Sequence, residues 1–151
     1  MLKFLSNLVS TVCFIGYIPF APGTFGSLAA FLFIYYVKPD DFQLFIYVVI
    51  GFFLGTLCSH KTEKESGIKD DKKIVIDEFV GYMASLLFLP QSNFYLIAAF
   101  VLFRFFDTLK PFPIKLIEGK IKGGLGIMID DIVAAIPANM ILQIINMNYA
   151  Q

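Results

Sequence analysis

The chain has 151 residues, one domain's worth, of which 58% are hydrophobic, with Phe 18 and Tyr 7, and only 16% are charged. A soluble domain carries about a quarter charged residues, so this balance, with a mean hydropathy of +0.75, tilts towards a lipid environment. The 12 basic and 12 acidic residues cancel, which argues against nucleic acid as a partner, and His 1 excludes a polyhistidine metal site.

Lys3 and the apolar stretch after it superficially resemble a signal peptide. Ser6, Asn7, Ser10 and Thr11 interrupt the run and no A-x-A cleavage pattern follows, so it reads as mature sequence. The first apolar block runs from Leu8 to Val37, interrupted by Pro19, Pro22 and Gly23. The second, Phe42 to Cys58, is nearly free of polar residues. A third, Ile74 to Phe106, is broken at Pro90-Gln91-Ser92-Asn93 and reads as a helical hairpin. Its arms, Ile74 to Leu89 and Phe94 to Leu109, would each be about 24 Å long. The last block is Ile127 to Met147, containing Pro137. A membrane-crossing helix needs about 20 apolar residues, which only the second and fourth blocks meet cleanly. Cys13 and Cys58 lack a CxxC spacing and read as buried small hydrophobes, and His60 as a surface residue at a helix end. The expected fold is all-α: a multi-pass helical membrane bundle of about four to five helices, some short or re-entrant, in a single domain over residues 1–151.

Lysine placement orients this bundle. Lys61, Lys64, Lys69, Lys72 and Lys73 lie between the second and third blocks, and Lys110, Lys115, Lys120 and Lys122 before the last. The Pro90 turn carries no charge. The positive-inside rule therefore places both lysine-rich linkers and the N-terminus in the cytosol, with Lys38, Asp40 and Asp41 outside. Asp77 and Glu78, Arg104 and Asp107, and Asp130 and Asp131 then fall on one, cytosolic, side.

From Asp77, positions i+4, i+7 and i+8 are Gly81, Ala84 and Ser85, and from Asp130 they are Ala134, Pro137 and Ala138. Small residues at this spacing mark close helix approach in membranes, so the acids face the bundle interior. Helix macrodipoles favour N-terminal acids anyway, but they explain one acid at each position, not adjacent pairs beside a small-residue stripe. Arg104, among three phenylalanines, needs a carboxylate or an anion, with Asp107 and Lys110 on the following turns. Five carboxylates crowded against Arg104 and Lys110 would repel one another. A hard divalent cation, Mg²⁺, relieves that repulsion and suits phosphoryl chemistry. Two glycine turns enter helices nearby: Gly23, Thr24, Gly26 and Ser27 in the first, Gly124 and Gly126 in the second. Such junctions offer free N–H groups, hydroxyls and a helix dipole to a phosphate.

Four segments, Gly16 to Ser27, Asp77 to Gly81, Phe103 to Ile114 and Gly123 to Asp131, together resemble the phosphatidylglycerophosphatase A family, in the family's order and without a substitution at a charged motif position. The resemblance implies Mg²⁺-dependent hydrolysis of the terminal phosphomonoester of the membrane lipid phosphatidylglycerophosphate, giving phosphatidylglycerol, at the cytoplasmic face of a bacterial inner membrane. On that reading Asp77, Glu78, Asp130 and Asp131 are metal ligands or partners of metal-bound water. Arg104 and Lys110 stabilise phosphoryl oxygens, and Thr24 and Ser27 hold the phosphate. Asp107 is left as a ligand, a general acid or base, or the group that orients Arg104. Water attack and an aspartyl-phosphate route both stay open. The rival is a non-catalytic membrane subunit for ion or proton transport or phosphate binding, and the clustering of the acids at one face weighs against transport.

Overall fold

The computed structural model describes residues 2–69, 71–110 and 121–149, and every regular element among them is helical. The elements are α1 (Leu2–Ser10), a 3-10 turn at Ile15–Tyr17, α2 (Pro22–Val37), α3 (Asp41–Ser66), α4 (Ile76–Ser85), α5 (Asn93–Leu109) and α6 (Gly124–Tyr149). The expected all-α bundle is what forms.

The first apolar block is not one helix. Val12, Cys13 and Phe14 take left-handed φ values of 47°, 53° and 70°, which no α-helix accommodates. The Thr11 hydroxyl supports the break by donating to Asn7 O at 2.7 Å and accepting from Phe14 N–H at 3.1 Å. Side-chain hydroxyls compete for backbone groups in this way at helix ends. The same break leaves Cys13 exposed and, with Cys58 only half-buried, corrects the expectation of two buried thiols. In α1, Ser6 and Ser10 are buried while Phe4 and Leu5 are exposed, the reverse of a helix amphipathic towards water.

Helix α3 begins at a capping box, with Asp40 Oδ1 accepting from Gln43 N–H at 2.8 Å and Gln43 Oε1 from Asp40 N–H at 3.1 Å. It ends at Gly67, whose φ of 68° satisfies the left-handed C-cap. The helix therefore runs well past the apolar block, and Lys61 and Lys64 lie on its last turns, not in a linker. A buried bond of 2.9 Å between the Ser10 and Thr62 hydroxyls ties this extension to α1.

The first hairpin arm is shorter than expected: α4 has 10 residues, about 15 Å, and cannot cross a hydrocarbon core of about 30 Å. Its end is held from outside. Asn139 Nδ2 donates to Ser85 O and Leu87 O, both at 3.0 Å, and Gln143 Nε2 to Leu87 O at 3.0 Å and Phe88 O at 3.2 Å. These amides from α6 satisfy carbonyls that a longer helix would have bonded internally. Helix α4 is the hub of the bundle, packed against α2, α3, α5 and α6, with Val80, Tyr82 and Met83 buried. Tyr82 also donates its hydroxyl to Leu96 O in α5 at 3.0 Å.

Among the described residues, helices α3 and α6, each of 26 residues, are the two long and apolar enough to cross a membrane, and α6 runs continuously through Pro137. The outward faces are apolar: Tyr36 on α2, Phe53 and Leu57 on α3, Val101 on α5, and Ile144 and Met147 on α6 are all exposed. Soluble monomers seldom expose apolar side chains on this scale.

Candidate active site

Four helix ends meet at one end of the bundle. Pro22 and Gly23 open α2, Asp77 and Glu78 occupy the first turn of α4, and Arg104, Asp107 and Lys110 close α5. Asp130 and Asp131 lie about two turns into α6. A cavity of about 560 Å³ opens between them, lined by Gly23, Asp77, Glu78, Arg104, Lys110, Gly126, Asp130 and Asp131, and also by Lys69, Asp71, Lys72 and Ile74. The N-termini of α2 and α4 point their positive dipole ends towards this space.

Close backbone approach creates the convergence. A Cβ on Gly81 would stand 2.7 Å from Phe103 Cζ and 3.0 Å from Asp131 Cβ, so only glycine lets α5 and α6 lie this near α4. At Gly23 a Cβ would collide with Glu78 Oε1 and lie 3.3 Å from Arg104 Nη1. The missing side chain is thus the space that the Glu78 carboxylate occupies.

Within the cavity, Arg104 Nη1 donates to Asp107 Oδ2 at 2.7 Å and stands 3.9 Å from Glu78 Oε1. Lys110 Nζ is 4.0 Å from Asp130 Oδ2. Each cation is thereby fixed by a carboxylate. Glu78 also belongs to a cluster of acids that these two cations do not satisfy. One oxygen each of Asp77, Glu78 and Asp131 lie within 4.8 Å of one another. Asp77 Oδ1, Glu78 Oε2 and Asp131 Oδ2 are buried without a hydrogen-bond partner. Buried polar atoms are almost always paired, and an orphaned oxygen on each of three neighbouring carboxylates calls for an external positive charge. Two oxygens opposite each other on a small hard cation stand roughly 4.2 Å apart, twice a bond of about 2.1 Å. The trio's oxygens, within 4.8 Å of one another, lie close to that span and have the right donor chemistry, so the residues fit such an ion.

All seven charged residues expected from sequence converge here. Asp107 is bonded to Arg104 and is not among the residues that line the cavity. The phosphate-seat residues divide. Gly23 and Gly126 line the cavity, whereas Thr24, Gly26, Ser27 and Gly124 do not. The Ser27 hydroxyl is fully buried and donates to Gly23 O at 3.1 Å. Gly26 packs on Val75, where a Cβ would lie 2.9 Å from Val75 O, and Gly124 lies against the backbone of Thr56 and His60 in α3. Three of the predicted seats therefore serve helix packing, a use that the same glycine and serine signals announce equally well. The motif segment Pro111 to Ile114, with Lys115 and Lys120, lies outside the described residues. Lys69, Asp71 and Lys72 line the cavity without having been singled out as site residues, because lysines in a linker report first on membrane orientation.

An all-helical bundle with apolar outer faces, whose acids and cations meet in one end cavity, has the layout of a helical phosphohydrolase working beside a lipid phase. Comparison with known proteins narrows the class. The family model for phosphatidylglycerophosphatase A matches residues 8–146, and the chain belongs to that family. A protein of Escherichia coli K12 named phosphatidylglycerophosphatase A is 42% identical over 132 residues, covering 86% of this chain and 77% of its own. Its namesake in Haemophilus influenzae is 43% identical over 125 residues, covering 81% and 77%. A Bacteroides thetaiotaomicron protein carrying the name "Putative phosphatidylinositol-3-phosphatase" is 38% identical over 143 residues, covering 89% of each chain. No solved structure matches at a significant level.

Proposed function

We propose that this protein is a phosphatidylglycerophosphatase: it hydrolyses the terminal phosphomonoester of phosphatidylglycerophosphate, releasing phosphate and phosphatidylglycerol for phospholipid biosynthesis. Family membership supports the reaction, and one observation carries the site: the buried, orphaned oxygens of Asp77, Glu78 and Asp131 beside a cavity that Arg104 also lines. The chain is a multi-pass protein of the bacterial inner membrane, its outer apolar faces in lipid and its cavity at the cytosolic surface. Exposed apolar side chains and the lysine bias support that placement.

Asp77, Glu78 and Asp131 would hold Mg²⁺, which when bound supplies Lewis-acid polarisation of the phosphoryl group and a water of lowered pKa. The rest follows from the chain's own groups. Arg104 presents N–H donors to the phosphoryl oxygens, at an angle set by Asp107, and needs little reorganisation as charge builds there. Lys110, held by Asp130, adds a second cation. The helix N-termini of α2 and α4 favour the dianionic monoester over the neutral glycerol end of the product. Water adds to phosphorus and the bond to the glycerol oxygen breaks, so phosphate leaves and the lipid alcohol stays in the membrane.

The test is phosphate release by detergent-purified protein from phosphatidylglycerophosphate and from phosphatidylinositol 3-phosphate, with Mg²⁺ or EDTA, for wild type and Asp131→Asn. Metal-dependent release from the first lipid, lost in the variant, is expected. Preferred release from the inositol lipid would transfer the substrate assignment to that named for the Bacteroides relative. Release undiminished by EDTA would remove the metal from the account.

A further inference from the structure

The cavity is large for one phosphate: about 560 Å³ is the size of a pocket for a whole small molecule. Resting on the phosphatase reading, its substrate carries two phosphates, a terminal monoester and, across a glycerol bridge, the phosphodiester that joins the head to the diacylglycerol. Arg104 and Lys110 line it with the acids at the helix ends, tied to Asp107, Glu78 and Asp130. Two lysines from the segment between α3 and α4, Lys69 and Lys72, line the same cavity.

That segment sorts its lysines by direction. Asp71 is buried, its Oδ1 accepts from Lys73 N–H at 3.2 Å, and its carbonyl accepts from Ile74 N–H at 2.8 Å. This turn fixes the residues around it. Lys69 and Lys72, exposed on either side of Asp71, face the cavity. Lys73 turns away, its Nζ 5.2 Å from the centroid of the Tyr17 ring, and lines a separate groove with Lys3, Asn7 and Thr62. Three lysines of one short segment thus divide between the active cavity and a separate groove.

We propose that Lys69 and Lys72 form a second anion subsite that binds the phosphodiester of the lipid and so selects substrates with a phosphate on each side of the glycerol. The monoester alone engages the acid-and-arginine side, and the diester sets the register of the lipid across the cavity. An exposed ammonium pair facing a single anionic oxygen cluster contributes to binding, not to charge development at the reacting phosphorus.

The test compares full-length wild type, Lys69→Ala/Lys72→Ala and Lys73→Ala in hydrolysis of phosphatidylglycerophosphate. Two inhibitors probe the two halves: inorganic phosphate for the monoester side, and short-chain, monomeric phosphatidylglycerol, which retains only the diester. In the double variant the Ki for phosphatidylglycerol and the KM should both rise about tenfold, with kcat within about twofold and the Ki for phosphate within about twofold. Lys73→Ala, which removes a charge from the same segment, should move none of them by more than about twofold. Lys69→Arg/Lys72→Arg should recover most of the lost affinity. The proposal is overturned by parallel weakening of phosphate and phosphatidylglycerol, by an equal effect of Lys73→Ala, or by a fall in kcat at constant KM. A wild type that hydrolyses phosphatidylglycerophosphate but is not inhibited by phosphatidylglycerol would also overturn it and leave the phosphatase reading standing. A wild type inactive on the lipid would remove that reading and this one with it.

Discussion

Gly23→Ala separates the catalytic use of a glycine from its structural cost. The new Cβ would lie 2.8 Å from Glu78 Cδ, against an optimal carbon–carbon separation of about 3.5–4.0 Å, so the carboxyl group must retreat by roughly 1 Å. Glu78 has little freedom to do so, since its side chain is only 16% exposed and α4 is packed on four sides. A misplacement of about 1 Å in a catalytic constellation costs on the order of 100-fold in rate. The backbone change itself is benign: Gly23 has no positive φ, and alanine is favoured over glycine in a helix by up to about 1 kcal/mol. Phosphate release should therefore fall about 100-fold while the melting temperature in detergent stays within a few degrees of wild type. Shortening the acid in the background, Gly23→Ala/Glu78→Asp, should recover part of the loss. Activity within about threefold of wild type in Gly23→Ala would refute the reasoning, because the Glu78 position would then be immaterial.

Three further outcomes follow from the geometry. Ser27→Ala removes a buried hydroxyl bonded to Gly23 O that does not line the cavity, so activity should change less than about threefold; a loss of 100-fold would restore Ser27 as a phosphate ligand. Asn139→Ala leaves the carbonyls of Ser85 and Leu87 without two of their donors and should destabilise the fold by about 1–2 kcal/mol, read as a lower unfolding midpoint, with activity at low temperature retained. Mg²⁺ at about 100 times its dissociation constant should stabilise wild type by about 2.7 kcal/mol, and this gain should vanish in Asp77→Asn and Asp131→Asn, as followed by thermal unfolding with and without EDTA.

Much of the site was legible in the residues because charge is rare in this chain. Where 16% of residues are charged, two adjacent acids beside a glycine, or an arginine among phenylalanines, stand out against an apolar background that could not bury them without partners. The hub helix was less legible. Apolar residues continue from Ser85 to Leu89, and nothing local distinguishes a helix that ends there from one that runs on; the difference lies in Asn139 and Gln143, more than 50 residues away, which bond the freed carbonyls. Likewise Gly26, Ser27 and Gly124 carry the same signature whether they seat a phosphate or a neighbouring helix. Which neighbour arrives depends on the packing of α2 and α6 against Val75 and α3.

By itself the sequence determined the helical class, the two long apolar helices and the set of charged residues that must find one another, since each follows from composition and spacing along the chain. The tertiary structure decided the division of labour among them. It left one buried oxygen each on Asp77, Glu78 and Asp131 without a hydrogen-bond partner while pairing Arg104 with Asp107 and Glu78 and Lys110 with Asp130, and it turned Lys69 and Lys72 to the cavity and Lys73 away. Those assignments depend on distances of a few ångströms between helices far apart in the chain, and no periodicity within one helix encodes them.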